Sequence, residues 1–566
     1  MRLSNVVRLV PPRLPPPTKE RVRCRALLLS TAVLLVACGC ETRVDTLGTV
    51  ENDATSSKPQ FDEPATCGSC HPTHYAEWQG SIMHYAAMSP VFNAFELTIR
   101  KITDGLVAPN GAAPNLCVGC HSPTGVFENE LPDYIDAERA LPVRNYLTRV
   151  SREGISCDFC HSVTGPDLSK SLLGDGIANT SLLFGPSETK FGPLVNPVSS
   201  GYHASASTDL IKKADFCGAC HDVRLPIPDV VTGEPFQRLE NLFTEWQTGP
   251  YNSTDNPYGR VVRCQDCHMS LYPLAEPGMF PSTPLAVGAN MPIRPHAIHA
   301  FTAVSIPFLD DPQFPQVDTD EKDQWGFPRG QAQRRRQMLR AACTLTLDGT
   351  PTDLTRDAAV IPIRTVVTNV GAGHRVPSGF SQERQVWIEL TVRDDVGLIY
   401  ESGYLRDKAH AETGELEPDG LLHDEDLDDR HFTVNLETLD SRYEPGPDHD
   451  QRPAKNLGIK NFQNAFVRIG ADGSRELVIN PLLASTVDNS RSLPILEPVE
   501  VRYDIPVPDR GIVGDIHVSA RLRYRAFPPE FLRVLAIREP QIVSEEMVDR
   551  NLIVDMAEAQ TTITVR

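Results

Sequence analysis

Five short stretches of the chain share one pattern: CGSCH (Cys67, Cys70, His71), CVGCH (Cys117, Cys120, His121), CDFCH (Cys157, Cys160, His161), CGACH (Cys217, Cys220, His221) and CQDCH (Cys264, Cys267, His268). A random chain of 566 residues would hold on the order of 0.01 Cys-x-x-Cys-His motifs, so five require a cause. Two thiols two residues apart can reach two vinyl groups on one porphyrin edge, while the next residue folds back to offer imidazole to the iron. The pattern predicts five covalently attached c-type haems, with His71, His121, His161, His221 and His268 as proximal ligands. Zinc and disulfides are the competing uses of paired cysteines, and five identical units with an adjoining histidine fit neither.

Each iron has a second axial position, for which the remaining histidines compete. His84 lies on EWQGSIMHYAAM, which reads as a helix, and His203 heads HASASTDLIKKADF, which reads the same way. His296 and His299, in RPHAIHAF, are three apart and can share a helical face. His374 stands in the glycine-rich turn NVGAGHRVPSG. There Gly371 and Gly373 would let the backbone approach a flat ring, and Pro377 stiffens the exit. These five are the candidate distal ligands. The other reading of His374 is a turn histidine bonded to a nearby carbonyl. His74, three residues beyond His71, reads as a neighbour of that ligand, and Met83, Met88 and Met291 are alternative donors that can equally fill gaps in a core.

The motifs occupy only residues 67–268. So short a segment cannot wrap each porphyrin in its own core, so the haems must pack against one another and form a path for electrons. The stretches CGSCHPTHYAEWQGSIMHYAAMS, GISCDFCHSV, FCGACHDV, and EWQTGPY followed by CQDCHM resemble the exported multihaem c-type cytochromes of the cytochrome c-552/c-554 kind. The resemblance covers roughly residues 60–310. It implies short helices and loops around stacked haems, electron transfer, and histidine as the usual second ligand. Some relatives instead reduce or oxidise small nitrogen compounds, and longer ones carry a C-terminal domain with a similar Gly-His turn.

The elements around the motifs divide the chain. Residues 1–37 read as a signal peptide of the lipoprotein type, with seven basic residues before an apolar run too short for the ~20 residues of a spanning helix. Cys38 follows Leu-Val-Ala and is the expected lipidation site. Residues 38–60 form a flexible linker, 61–307 a pentahaem domain, 308–340 a connector and helix, and 341–566 an antiparallel β-sandwich-like domain. The last rests on alternation such as IHVSARLRYRAF, where Ile516, Val518, Ala520, Leu522 and Tyr524 share a face. HDEDLDDR (423–430) reads as a solvated loop, and Arg334, Arg335 and Arg336 as the exposed face of a helix.

The formal charge is −20, and losing the leader removes seven basic residues and one acidic. So acidic a protein repels nucleic acid and attracts basic redox partner proteins; its membrane contact is the lipid at Cys38, on a bacterial membrane facing the periplasm or the cell exterior. The expected function is electron transfer along five haems in the cell envelope, with no catalytic residue assigned. Two alternatives fit the same residues: an enzyme of nitrogen-oxide or hydroxylamine chemistry with one open iron, or a module of an extracellular electron conduit.

Overall fold

The computed structural model describes residues 61–102, 115–132, 140–169, 178–288, 290–308, 319–409, 416–422, 433–434, 441–442 and 457–566. The leader, Cys38, the linker 38–60, the acidic loop 423–430 and residues 309–318 of the connector lie outside them.

Short helices separated by loops carry the first half. Proline starts several of them, among them α1 (Pro72–Gln79) and α2 (Pro90–Ile102), where its fixed φ and missing N–H cost nothing at the first turn. Each attachment motif forms or adjoins a single helical turn, as in Leu116–His121, Cys157–His161 and Cys264–His268. Ser156 caps the second of these by accepting from the Phe159 N–H at 3.3 Å. HASAS is not helical. β1 (Thr189–Gly192) and β2 (Ala204–Ser207) pair in parallel, and His203 immediately precedes β2. His296 and His299 likewise follow a short strand, Ile293–Pro295, and do not share a helix. The expected helix at residues 331–342 is present as α4, after α3 (Leu242–Thr248). Arg334 and Arg335 are buried on it, the Arg334 guanidinium lying 5.0 Å over the Phe327 ring. Long apolar stems let arginine cover such a surface, which a reading of charge alone overlooks.

Beyond α4 the chain is mostly strands: β3 (Cys343–Thr346), β4 (Asp353–Leu354), β5 (Val360–Asn369), β6 (Gln385–Asp394), β7 (Gly397–Ser402), β8 (Lys460–Asn461), β9 (Ala465–Ile469), β10 (Arg475–Val478), β11 (Thr486–Asp488), β12 (Pro498–Pro506), β13 (Ile516–Arg525) and β14 (Val554–Val565). One sheet runs β4-β14-β13-β6-β7 with β8 on β6, a second β12-β5-β3, and a third β10-β9-β11. The alternation along β13 is realised, with Ile516, Val518, Ala520, Leu522 and Tyr524 all buried. Arg525, on the opposite face, is buried as well, its Nε donating to Gln385 Oε1 at 2.9 Å.

The core joins the two halves. Val91, Ala94 and Leu97 of α2, spaced three apart, pack in one cluster with Ile363 and Val367 of β5 and Ile388 and Leu390 of β6. Phe95 on the same helix meets Phe380 and Phe531, each with ring centres 5.6 Å away. The described residues from Phe61 to Arg566 accordingly fall within one compact unit.

Candidate haem-binding cavity

All ten motif cysteines and all five motif histidines line one continuous cavity of about 1350 Å³. Four of the five histidines direct Nδ1 to a backbone carbonyl: His71 to Leu285 at 3.0 Å, His121 to Ala86 at 3.2 Å, His161 to Phe191 at 2.7 Å and His268 to Thr302 at 2.8 Å. An Nδ1–H held in this way fixes the tautomer and leaves the Nε2 lone pair for a metal. His221 differs, with Nδ1 3.7 Å from the Glu240 carboxylate. Burial pulls this imidazole's pKa down, but Glu240 outweighs it and the net shift is upward. Burial raises Glu240, yet its contacts with His221 bring it below its ordinary value.

The motifs are also neighbours of one another. The Cys67 thiol is within hydrogen-bonding reach of Cys157, Cys120 of Cys220, and Cys217 of Cys264. The first motif therefore meets the third, and the fourth meets the second and the fifth.

Of the candidate distal histidines, His203, His299 and His374 line the cavity. His203 Nδ1 faces the Ala204 carbonyl at 2.9 Å, His299 Nδ1 that of Ala297 at 2.7 Å and His374 Nδ1 that of Arg375 at 2.8 Å, repeating the arrangement of the proximal set. Burial lowers His299 to about 3 and His374 to about 4, so both stay neutral, as metal ligation requires. The rings of His161 and His299 face each other with centres 6.3 Å apart and planes 24° from parallel. Two imidazoles bound to opposite faces of one metal ion at about 2.0 Å have centres about 6 Å apart, so this pair suits a single iron.

His84 and His296 are turned away from the cavity. His84 is buried against Trp78, with ring centres 4.2 Å apart, Nδ1 on the Gln79 carbonyl at 2.8 Å and Nε2 3.6 Å from Glu153; its neighbour Met83 lines the cavity instead. His296 gives Nε2 to Glu77, 2.9 and 3.0 Å from its two oxygens. Neither is among the residues that line the cavity; Glu77 bonds His296 Nε2, while Glu153 lies 3.6 Å from His84 Nε2, beyond hydrogen-bonding distance. His74, read from chain proximity as a neighbour of His71, lines the cavity, with ring centres 4.2 Å from His296 and 4.8 Å from His299. Burial lowers it to about 2.

The turn carrying His374 is bound to the first half of the chain. Arg375 N–H and the Ser378 hydroxyl donate to Glu245 at 3.0 and 2.5 Å, and Tyr251 and Tyr272 hydroxyls donate to the carbonyls of Val370 and Gly371. At Gly371 protein packing by itself excludes a side chain, since a Cβ there would lie 2.0 Å from the Ala341 carbonyl oxygen. Gly373 packs on Trp246 and Tyr251, at 3.4 Å for such a Cβ. Among the described residues no group of three or more His, Cys, Asp or Glu side chains gathers to hold a metal ion, the convergence a zinc site would need.

A family model described as cytochrome c554 and c-prime matches residues 66–162. The fold is similar to the crystal structure of a penta-heme cytochrome c552 from Thermochromatium tepidum, at 15% identity and a TM-score of 0.50, over 90% of this chain and 100% of that one. No curated protein matches. With thiol pairs and imidazoles gathered on one cavity in the arrangement that c-type haem requires, the chain is similar to multihaem c-type cytochromes of the c552/c554 kind, in sequence over residues 66–162 and in fold over most of its length.

Proposed function

We propose that the protein carries electrons along five covalently bound haems in the cell envelope, anchored by lipid at Cys38. The observation that carries this reading is that five motifs, separated in sequence, open into one cavity with thiols of neighbouring motifs in contact. Haems attached there share walls, which keeps each electron transfer short. The fourth motif is a junction, since the second and the fifth meet it. The strands after residue 341 form a sandwich-like support that delivers the His374 turn to the cavity. Basic redox proteins are the partners that the acidic surface favours. Expression with a cytochrome c maturation system, followed by intact mass and haemochrome absorbance, should give five haems per chain; a lower count contradicts the reading. Cys38→Ala should move the protein from membranes to the soluble fraction, and unchanged membrane binding would refute the anchor.

A second reading, an enzyme with one open iron, draws on one observation. Among the described residues, His74, His203, His299 and His374 are the cavity-lining histidines outside the motifs, one fewer than the five motifs. His121 has the Phe92 ring stacked on it at 4.0 Å and His221 as its histidine neighbour. On this reading the haem at His121 is the candidate for the open iron. Carbon monoxide binding to one ferrous haem of the intact protein would favour the open iron.

A further inference from the structure

The triplet Glu-Trp-Gln occurs at residues 77–79 on α1 and at 245–247 on α3. The two copies make the same bonds. Trp78 Nε1–H donates to the Ile155 carbonyl at 2.8 Å, and Trp246 Nε1–H to the Val262 carbonyl at 2.8 Å. Ile155 and Val262 each stand two residues before a motif, the one beginning at Cys157 and the one beginning at Cys264. Glu77 accepts the backbone N–H of His299 at 2.9 Å, and Glu245 that of Arg375, next to His374, at 3.0 Å. Both carboxylates are 8% exposed. His299 faces His161 of the third motif, and His374 has His268 of the fifth among its electrostatic neighbours.

We infer that the two Glu-Trp-Gln helices are duplicate clamps, each positioning both axial ligands of one haem. The tryptophan fixes the attachment motif on one face, and the glutamate fixes the loop of the distal histidine on the other. The third haem would be clamped by Glu77 and Trp78, the fifth by Glu245 and Trp246. Other bonds also hold these loops, Ile298 N–H donating to the Met269 carbonyl at 2.8 Å and Val376 exchanging backbone bonds with Leu493 at 3.1 and 2.7 Å; what each glutamate adds is a buried acceptor beside the distal histidine, carried on the same helix that holds the attachment motif. The bonds are spaced to work together. Adjacent residues of a helix point about 100° apart, so one turn reaches two different segments.

This inference rests on the proposed axial roles of His299 and His374, and the test separates the two. In the matured holoprotein, His299→Ala and His374→Ala should each raise the number of high-spin ferric haems by one in low-temperature EPR; failure here refutes the ligand roles. Given that result, Glu77→Ala and Glu245→Ala should each also add one high-spin haem or shift the g-values of one low-spin haem, at a full haem count. Glu77→Gln and Glu245→Gln, whose amide oxygens still accept a hydrogen bond, should restore the wild-type signal. These glutamine variants also keep the test open if an alanine protein matures poorly, because their g-values should then match the wild type while Trp246→Phe, which loses only the N–H, perturbs a single haem. Alanine variants that keep all wild-type signals while losing thermal stability would overturn the clamp and leave the glutamates as ordinary structural acceptors.

Discussion

At the scale of single residues, the second atom of each imidazole decides what the first can do. His203, His299 and His374 hold Nδ1 on a carbonyl and line the cavity, as four of the five proximal histidines do; His84 makes the same Nδ1 bond without lining it, so the bond orients the ring but does not by itself place it. His374→Ala should convert one haem from low to high spin, visible near 6 in g, whereas His517→Ala, on an exposed strand position beside Thr562, should leave the spectrum unchanged. Glu240 makes the His221 haem distinct. A carboxylate against Nδ1 strengthens the imidazole as a donor and favours ferric iron. Glu240→Gln should raise one midpoint potential by about 59 mV, a tenfold change in a one-electron equilibrium, in a spectroelectrochemical titration. Glu245 adds a pH dependence: burial raises it to about 7 from an ordinary 4.5, against the hydrogen bonds of Ser378 and Arg375. Its folded-state pKa is above the unfolded value, so its contribution is complete below about 4.5 and is lost as pH rises through about 7. Thermal unfolding across that window should lose up to about 3 kcal/mol from this group, and Glu245→Gln should flatten the slope.

At the scale of elements, attachment motifs were legible because their chemistry is written in contiguous residues, while the distal set was not. HASAS alternates small and polar residues, and that period belongs to a strand; reading it as a helix was a wrong choice of period that β2 corrects. His84 and His296 are expected on the wall from helical spacing; neither lines the cavity, and a carboxylate distant in sequence stands near each, Glu153 and Glu77. Glu77, Glu245 and Glu240 carry no spacing signal one at a time; only the recurrence of Glu-Trp-Gln pointed to the first two. The strands after residue 341 were clearer, since alternation on β13 maps directly to burial. Gly371 shows how narrowly an element can be placed. A methyl group there meets the backbone of α4, which cannot give, so Gly371→Ala should lower stability by about 1–3 kcal/mol and expose the turn, measured by denaturant midpoint and by protease cleavage beside it.

At the scale of the whole molecule, the cavity takes its shape from two sequence regions that fold as one. α2 inserts its apolar face among strands of the second half, and the second half returns the His374 turn to the first. The motif contacts join the first motif to the third and the fourth to the second and fifth, and the shared cavity joins the two groups. The acidic balance should show in kinetics: electron exchange with a basic redox protein should slow as ionic strength rises, because screening removes the steering attraction. The central claim is that the haems of one chain exchange electrons through that shared cavity. Pulse radiolysis that delivers less than one electron per molecule tests it most directly. Redistribution among the haems should be first order and independent of protein concentration; redistribution whose rate grows in proportion to concentration would mean that electrons pass between molecules and not along the chain's own haems.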